Sequence, residues 1–234
     1  MPDNENNSMK KFPQPSTLPA NTEIKDGVWT QVFSARKNTT NRPALFLDRD
    51  GVVCVEANYM QRAEDVQLMP DAADVIKSAN QKNIPVILVT NQAGIAYGYF
   101  GWEEFINVQA KLLDELSSGG AVIDGVFACP FHEKGIDPWG HPSHPARKPN
   151  PGMLIMAAEL MGVDLSGSWI VGDRSSDILA GKNAGLAGGV HVLSGHGASN
   201  NERQKALSQS SNNFVVKSAT DLASAASLIP LLGK

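Results

Sequence analysis

Three apolar runs in this chain stop abruptly at acidic or amide- and hydroxyl-bearing residues, and that repetition restricts the fold more than any other feature. Ala44-Leu45-Phe46-Leu47 ends in Asp48-Arg49-Asp50-Gly51, residues 85–89 end in Thr90-Asn91-Gln92, and Trp169-Ile170-Val171 ends in Gly172-Asp173, with Asp177 following. The runs are continuous rather than alternating, as expected of strands covered on both faces. Between them lie stretches with helical spacing. Ala72, Val75, Ile76 and Ala79 mark a helix over 71–82, and Trp102, Phe105, Ile106, Leu112, Leu113 and Leu116 mark a second. Residues 153–161 read as a helix stopped by Gly162, and 176–184 as another. Residues 122–128, 189–193 and 214–216 read as strands, with 222–228 a closing helix. Strand and helix alternating at these intervals predict crossover units in an α/β fold. The expectation is a three-layer α/β/α sandwich around a mainly parallel, doubly wound sheet.

Composition removes several function classes. Lys plus Arg is 20 and Asp plus Glu is 24, with no basic block, so no nucleic-acid partner is expected. The longest apolar runs, residues 84–89 and 228–232, fall well short of a membrane span, so no membrane partner is expected either. Cys54 and Cys129 are too few for a disulfide framework and suit a reducing compartment. Without an apolar segment in the first twenty residues, a cytoplasmic location is expected; the protein is expected to be a monomer. Residues 1–42, with Pro2, Pro13, Pro15 and Pro19 among polar neighbours, read as a partly flexible N-terminal extension. Within it Val28-Trp29-Thr30-Gln31-Val32-Phe33 is open to three readings: a short strand, an arm packed on the domain, or a partner-binding segment. Residues 43–234 read as one domain with a loop insertion at 130–147.

In a doubly wound sheet the ligand lies beyond the carboxyl ends of the strands, where all three polar clusters fall. Asp48 and Asp50 are two apart, so on an extended backbone their carboxyls point the same way. Two close carboxylates repel unless a cation sits between them, and oxygen ligands suit Mg²⁺. Asp173 and Asp177 add charge at the same edge, while Thr90 and the Lys148 of Arg147-Lys148-Pro149 would hold a phosphate. Each cluster alone reads as a turn, a helix cap or a solvated lysine. Their joint occurrence in this order points to phosphoryl chemistry.

These motifs resemble those of the haloacid dehalogenase (HAD) superfamily, over about residues 43–225. Phe46-Leu47-Asp48-Arg49-Asp50-Gly51-Val52-Val53, Thr90-Asn91-Gln92-Ala93-Gly94-Ile95-Ala96 and Arg147-Lys148-Pro149 are similar, more narrowly, to the heptose-1,7-bisphosphate 7-phosphatases and their relatives the histidinol-phosphate phosphatases. The resemblance implies a Rossmann-like sheet and a Mg²⁺-dependent phosphomonoester hydrolase acting on a small phosphorylated metabolite, a heptose bisphosphate first. Histidinol phosphate, a broader range of sugar phosphates, a phosphotransferase or a catalytically silent ligand-binding protein are the alternatives. It implies Asp48 as nucleophile and Asp50 as general acid and base, with Thr90 and Lys148 completing the catalytic set. Mg²⁺ would be held by Asp48, Asp173 and the main-chain carbonyl of Asp50, with Asp177 behind them. Substrate would meet Asp48, Asp50, Glu56, Tyr59, Thr90, Asn91, Gln92, Ala93, Arg147, Lys148 and Arg174.

The chain departs from that family at three places. Arg174 stands where lysine is frequent, and Tyr97 where arginine is. The family's zinc loop keeps only Cys129: Phe131 takes the usual histidine position, and His144 and Ala146 take those of cysteines. Cys129, His132, His141 and His144 nevertheless form a Cys-x2-His, His-x2-His set that would close a tetrahedral Zn²⁺ site, the alternative being a metal-free loop held by its prolines. Residues 51–70 are too few for a cap domain, so an open, loop-gated site with a minimal cap is expected.

Overall fold

The computed structural model describes residues 12–33 and 41–233. The strands are β1 (Thr22–Lys25), β2 (Val28–Val32), β3 (Pro43–Leu47), β4 (Val86–Asn91), β5 (Gly125–Cys129), β6 (Asp164–Gly172), β7 (Gly188–Val192) and β8 (Val215–Ala219). The helices are α1 (Ala72–Gln81), α2 (Ala93–Ala96), α3 (Trp102–Ser118), α4 (Gly152–Met161), α5 (Ser175–Asn183), α6 (Asn200–Leu207) and α7 (Leu222–Leu228). All eight strands form one sheet in the order β1-β2-β5-β4-β3-β6-β7-β8. From β5 to β8 every neighbouring pair is parallel. The expected doubly wound α/β fold is therefore present.

The chain runs outward from β3 to β4 and β5, then returns to lay β6 on the other side of β3. Right-handed crossovers in opposite directions place their helices on opposite faces. Thus α1 and α3 cover one face, and α4, α5 and α6 the other. The apolar stripe read on α1 faces the core, since Ala72, Val75, Ile76 and Ala79 are all buried. Leu45, Phe46, Leu47, Ile87, Leu88 and Val89 are fully buried between the two layers. The reversal beside β3 opens a crevice at the carboxyl ends of β3 and β6, which is where ligands bind in such sheets. Residues 51–70 hold a single 3₁₀ turn, Ala63–Asp65, so no cap domain covers that crevice. Among the described residues no helix is long and apolar enough to cross a membrane.

The N-terminal boundary needs correction. β1 and β2 form an antiparallel hairpin that pairs with β5, so the sheet begins at Thr22 rather than Pro43. Its turn, Asp26-Gly27, has φ of 50° and 80°, the left-handed pair that a tight hairpin requires. Trp29 is 1% exposed, with its ring 5.5 Å from that of Trp102 and 5.1 Å from that of Phe105. The flexibility expected of residues 1–11 and 34–40 falls outside the described residues. The sequence reading also missed α6, whose one buried residue is Ala206 and which therefore shows no apolar stripe.

If the hairpin is part of the core, Trp29→Ala should lower unfolding free energy by about 3–5 kcal/mol, the usual cost of a large aromatic removed from a packed interior. Urea unfolding followed by circular dichroism measures it, and a loss under about 1 kcal/mol would make the hairpin peripheral.

Candidate active site

The site grows out of the end of β3. The Asp48 N–H donates to Val171 O at 3.0 Å, carrying sheet bonding one residue past the strand, and Gly51, at φ 81°, then turns the chain. As the alternation predicted, Asp48 and Asp50 both line one cavity of about 710 Å³, whereas Arg49 between them is buried at 1% exposure. Arg49 comes back beneath Asp50. Its Nε donates to Asp50 Oδ1 at 3.1 Å and its Nη2 to Asp50 Oδ2 at 3.0 Å, with its guanidinium 5.6 Å from the Phe105 ring centre. Gln92 joins this network. Its Oε1 accepts from Arg49 Nη2 at 3.2 Å, and its Nε2 donates to Asp50 Oδ2 at 3.1 Å and to Thr90 Oγ1 at 2.7 Å.

Lys148 enters from the loop before α4 and is fixed first through its main chain. Asn91 Nδ2 donates to Lys148 O at 3.0 Å, and the Lys148 N–H donates to Asn91 Oδ1 at 3.1 Å. The Nζ then donates to Asp48 Oδ1 at 2.8 Å and Val89 O at 2.8 Å, and it pairs with Asp177 Oδ1 at 2.7 Å. Two hydrogen bonds and an ion pair thus surround the ammonium. Burial opposes the Lys148 charge, but Asp177 and Asp48 outweigh it and raise its pKa. Asp177 Oδ2 accepts the Arg174 N–H at 2.9 Å, so one carboxylate caps α5 and holds the lysine.

Asp173 lies below the cavity floor at 1% exposure. Its Oδ2 accepts the His196 N–H at 2.7 Å, while Oδ1 is buried without a hydrogen-bond partner. Gly51 and Gly195 press against it: a Cβ would come within 2.6 Å of Asp173 Oδ2 at the first and 2.3 Å at the second. The carboxylates of Asp48, Asp173 and Asp177 lie within 4.8 Å of one another. Burial, with Asp177 and Asp50 adding to it, pushes Asp48 up to about 7 against the pull of Lys148. Burial, with Asp48 and Asp177, pushes Asp173 up to about 8. One ammonium thus faces three carboxylates, and an unpartnered carboxylate oxygen points to the missing charge. A hard divalent cation fits this all-oxygen donor set, and Mg²⁺ is the cation expected.

The remaining expected contacts divide by geometry. Glu56, Tyr59, Ala93, Arg147 and Arg174 line the cavity with Asp48, Asp50, Thr90 and Lys148. Asn91 and Gln92 also line it, but their side-chain amides are spent on Lys148, Asp50, Thr90 and Arg49. Sequence reasoning missed Arg49 and His196. The first lies between two acidic residues, and nothing local in the sequence says that it folds back onto one of them. The second lies just past β7, in Ser194-Gly195-His196, a fourth strand end with polar residues that the motif reading passed over.

The zinc expectation needs correction. Cys129, His132, His141 and His144 do not assemble: among the described residues the three aspartates are the sole group of three or more such donors within 4.8 Å. Cys129 Sγ lies 4.0 Å from His144 Nδ1, and burial pushes the thiol up to about 12. All three histidines accept a main-chain N–H at Nδ1, from Lys134, Ser143 and Ala146. His132 turns to the Tyr97 hydroxyl, 3.0 Å from its Nε2, and His144 stacks on Phe131 with ring centres 3.9 Å apart. Aromatic packing therefore occupies the place of the expected metal clip.

Comparison with known proteins bears on this site. The HAD-hydrolase-like family model matches residues 145–222, which include Lys148, Asp173 and Asp177. The D-glycero-β-D-manno-heptose-1,7-bisphosphate 7-phosphatase of Mesorhizobium japonicum is 45% identical over 76% of this chain and 78% of its own length. A structure from Mesorhizobium loti, described as a HAD-like phosphatase, superposes with a TM-score of 0.77 at 38% identity, covering 88% of this chain and 92% of the other. The D,D-heptose 1,7-bisphosphate phosphatase of B. bronchiseptica, solved with magnesium and phosphate, superposes with a TM-score of 0.65 at 31% identity, covering 78% and 95%.

The raised carboxylates give a test that needs no substrate. Asp48 and Asp173 bind protons in the folded protein between about pH 4 and pH 8 that the unfolded chain has released, so metal-free stability should fall as pH rises through that window. Mg²⁺ removes the repulsion only when the carboxylates are ionised. Its increment in Tm should therefore be larger at about pH 8 than at about pH 5, read by differential scanning calorimetry. An increment equal at both would contradict the cation assignment.

Proposed function

The chain belongs to the heptose-1,7-bisphosphate 7-phosphatase family of HAD-like hydrolases, and we propose that its substrate is D-glycero-β-D-manno-heptose 1,7-bisphosphate, from which it removes the 7-phosphate through an aspartyl-phosphate. One observation carries the mechanism: Asp48 stands at the cavity floor with Oδ1 fixed by Lys148, and among the described residues no hydrogen bond engages its Oδ2. That oxygen is free to attack phosphorus.

The residues then divide the work. Asp48 forms a bond to phosphorus as the bond to the sugar oxygen breaks, and Asp50 delivers a proton to the departing alkoxide. In the second half, Asp50 takes a proton from water as the water oxygen attacks phosphorus and Asp48 is released. Arg49 and Gln92 support this by fixing the Asp50 carboxyl from below. Thr90 accepts from Gln92, which leaves its own O–H free to donate to a phosphoryl oxygen. Lys148 holds the nucleophile and offsets negative charge developing on the phosphoryl group. Asp48, Asp173 and the Asp50 carbonyl would hold Mg²⁺, which when bound would supply positive charge to the phosphoryl oxygens. Arg147 and Arg174 bring cationic charge to the cavity wall, which suits a second phosphate on the same sugar.

Asp48→Asn keeps size and shape but removes the nucleophile, so turnover of the heptose bisphosphate should fall by more than about 10³-fold while circular dichroism shows the fold retained. Phosphate release, compared across heptose bisphosphate, hexose monophosphates and histidinol phosphate, tests both parts. Preference for histidinol phosphate would overturn the substrate, and activity of the variant within about tenfold of wild type would overturn the covalent route.

A further inference from the structure

Phe12 is far from the 130–147 loop in sequence and touches it in space. Its ring meets Phe131 edge-on at 5.4 Å and stacks on Trp139 at 5.2 Å. Both partners are buried, Phe131 at 3% and Trp139 at 5% exposure. From the other side Gly27 of the β1–β2 turn closes on the same pair, where a Cβ would come within 2.8 Å of the Phe131 ring and 3.0 Å of Trp139. Behind Phe12 the chain is tied down again: the Ser16 N–H donates to Glu103 Oε1 on α3 at 2.5 Å, and Ala20 O accepts from Gln31 Nε2 at 3.4 Å.

Phe131 is the residue that reaches the site. Its carbonyl oxygen accepts from Arg147 Nη1 at 2.8 Å, and its ring stacks on His144, whose own carbonyl accepts the Arg147 N–H at 2.9 Å. Arg147 is thus held at both its guanidinium and its main chain by two stacked residues. The loop at 130–147 contains no helix or strand, and its histidines do not gather with Cys129 as a metal site. Its order rests on a few turn hydrogen bonds, such as the His141 N–H to His132 O at 3.0 Å, together with side-chain packing, and loops of this length are costly to hold in one shape.

We propose that residues 12–20 are a positioning strap: Phe12 completes the aromatic pack around Phe131 and thereby sets the Arg147 guanidinium against the substrate. The inference rests on the reading above that Arg147 contacts substrate. Phe12 itself touches neither substrate nor reacting atoms. Its effect passes through one ring and one carbonyl, so it acts on binding and leaves the chemical step alone.

The test uses the full chain and four variants: Phe12→Ala, Phe12→Tyr, Arg147→Ala and the Phe12→Ala/Arg147→Ala double variant. Phe12→Ala should raise KM for heptose bisphosphate by about five- to tenfold with kcat within about twofold, because only binding is lost. Phe12→Tyr keeps the ring and should restore KM. The double variant should be no worse than Arg147→Ala alone, since both changes remove one interaction. KM of Phe12→Ala within about twofold of wild type, or additive losses in the double variant, overturns the proposal. Amide hydrogen exchange gives a second readout that needs no substrate. Residues 131–147 should exchange at least about tenfold faster in Phe12→Ala while β3 is unchanged, and equal exchange overturns the strap. If the alanine variant is unstable, Phe12→Leu fills the volume without the ring and is read in the same way. Should wild-type protein fail to turn over heptose bisphosphate, the substrate assignment falls, while the exchange measurement still decides the strap.

Discussion

Lys148 carries a positive charge into an interior where it is 3% exposed, and an ion there without partners costs several kcal/mol. Its Nζ is surrounded by Asp48 from the end of β3, the Val89 carbonyl of β4 and Asp177 of α5. Asn91, also on β4, grips its main chain. Three separate elements converge on one ammonium, and each arrives there because the sheet reverses direction beside β3. A guanidinium could not take this place. Its planar fork matches paired coplanar oxygens, whereas these acceptors approach from three elements and suit the three rotatable hydrogens of an ammonium. The lysine also sets the limit of the charge balance, because it cannot satisfy Asp173 as well. The unpartnered Asp173 Oδ1 and the raised pKa values of Asp48 and Asp173 are two expressions of that deficit.

Backbone geometry serves the same deficit. Asp173 can lie this close to the β3 turn only because Gly51 and Gly195 lack side chains, and Ser194 Oγ donates to Gly51 O at 2.6 Å to join the two loops. The loop after β7 is therefore part of the floor beneath the site. His196 supplies its main-chain N–H to Asp173, and its imidazole lies 3.6 Å from Glu56 on the cavity wall.

What could be read in the sequence was what local periodicity encodes. Continuous apolar runs marked β3, β4 and the core of β6, and the spacing of Ala72, Val75, Ile76 and Ala79 marked α1, because a parallel sheet buried on both faces imposes those patterns. Asp48, Asp50, Thr90 and Asp173 stood out because strand ends in such a sheet all open on one edge, and Lys148 because Arg147-Lys148-Pro149 precedes a helix. Long-range packing was not legible. β1 alternates partly buried and exposed residues in Thr-Glu-Ile-Lys and carries almost no apolar signal, although Asp26-Gly27 was a usable hairpin sign. The Cys/His spacing over residues 129–144 suggested a metal, but spacing says nothing of where rings point. Phe131 and Tyr97, two of the departures noted from family pattern, are the groups that engage His144 and His132.

Those departures connect to the N-terminal hairpin through one aromatic layer. Arg49, which holds the Asp50 carboxyl, lies over Phe105; Phe105 packs on Trp102 at 5.3 Å and Trp29 at 5.1 Å; Trp102 meets Trp139 at 6.2 Å; and Trp139 carries Phe12. The layer thus supports the proton-transfer side of the site at one end and the Arg147 side at the other. Close-packed interiors transmit small displacements because their side chains have few alternative rotamers. A hairpin that contributes Trp29 and Gly27 to such a layer is as necessary to the cavity walls as the strands that carry the aspartates. On this view the aromatic residues at 12, 29, 131 and 139 act together, and exchanging Phe131 for a metal ligand without altering the others would leave the loop with neither kind of support.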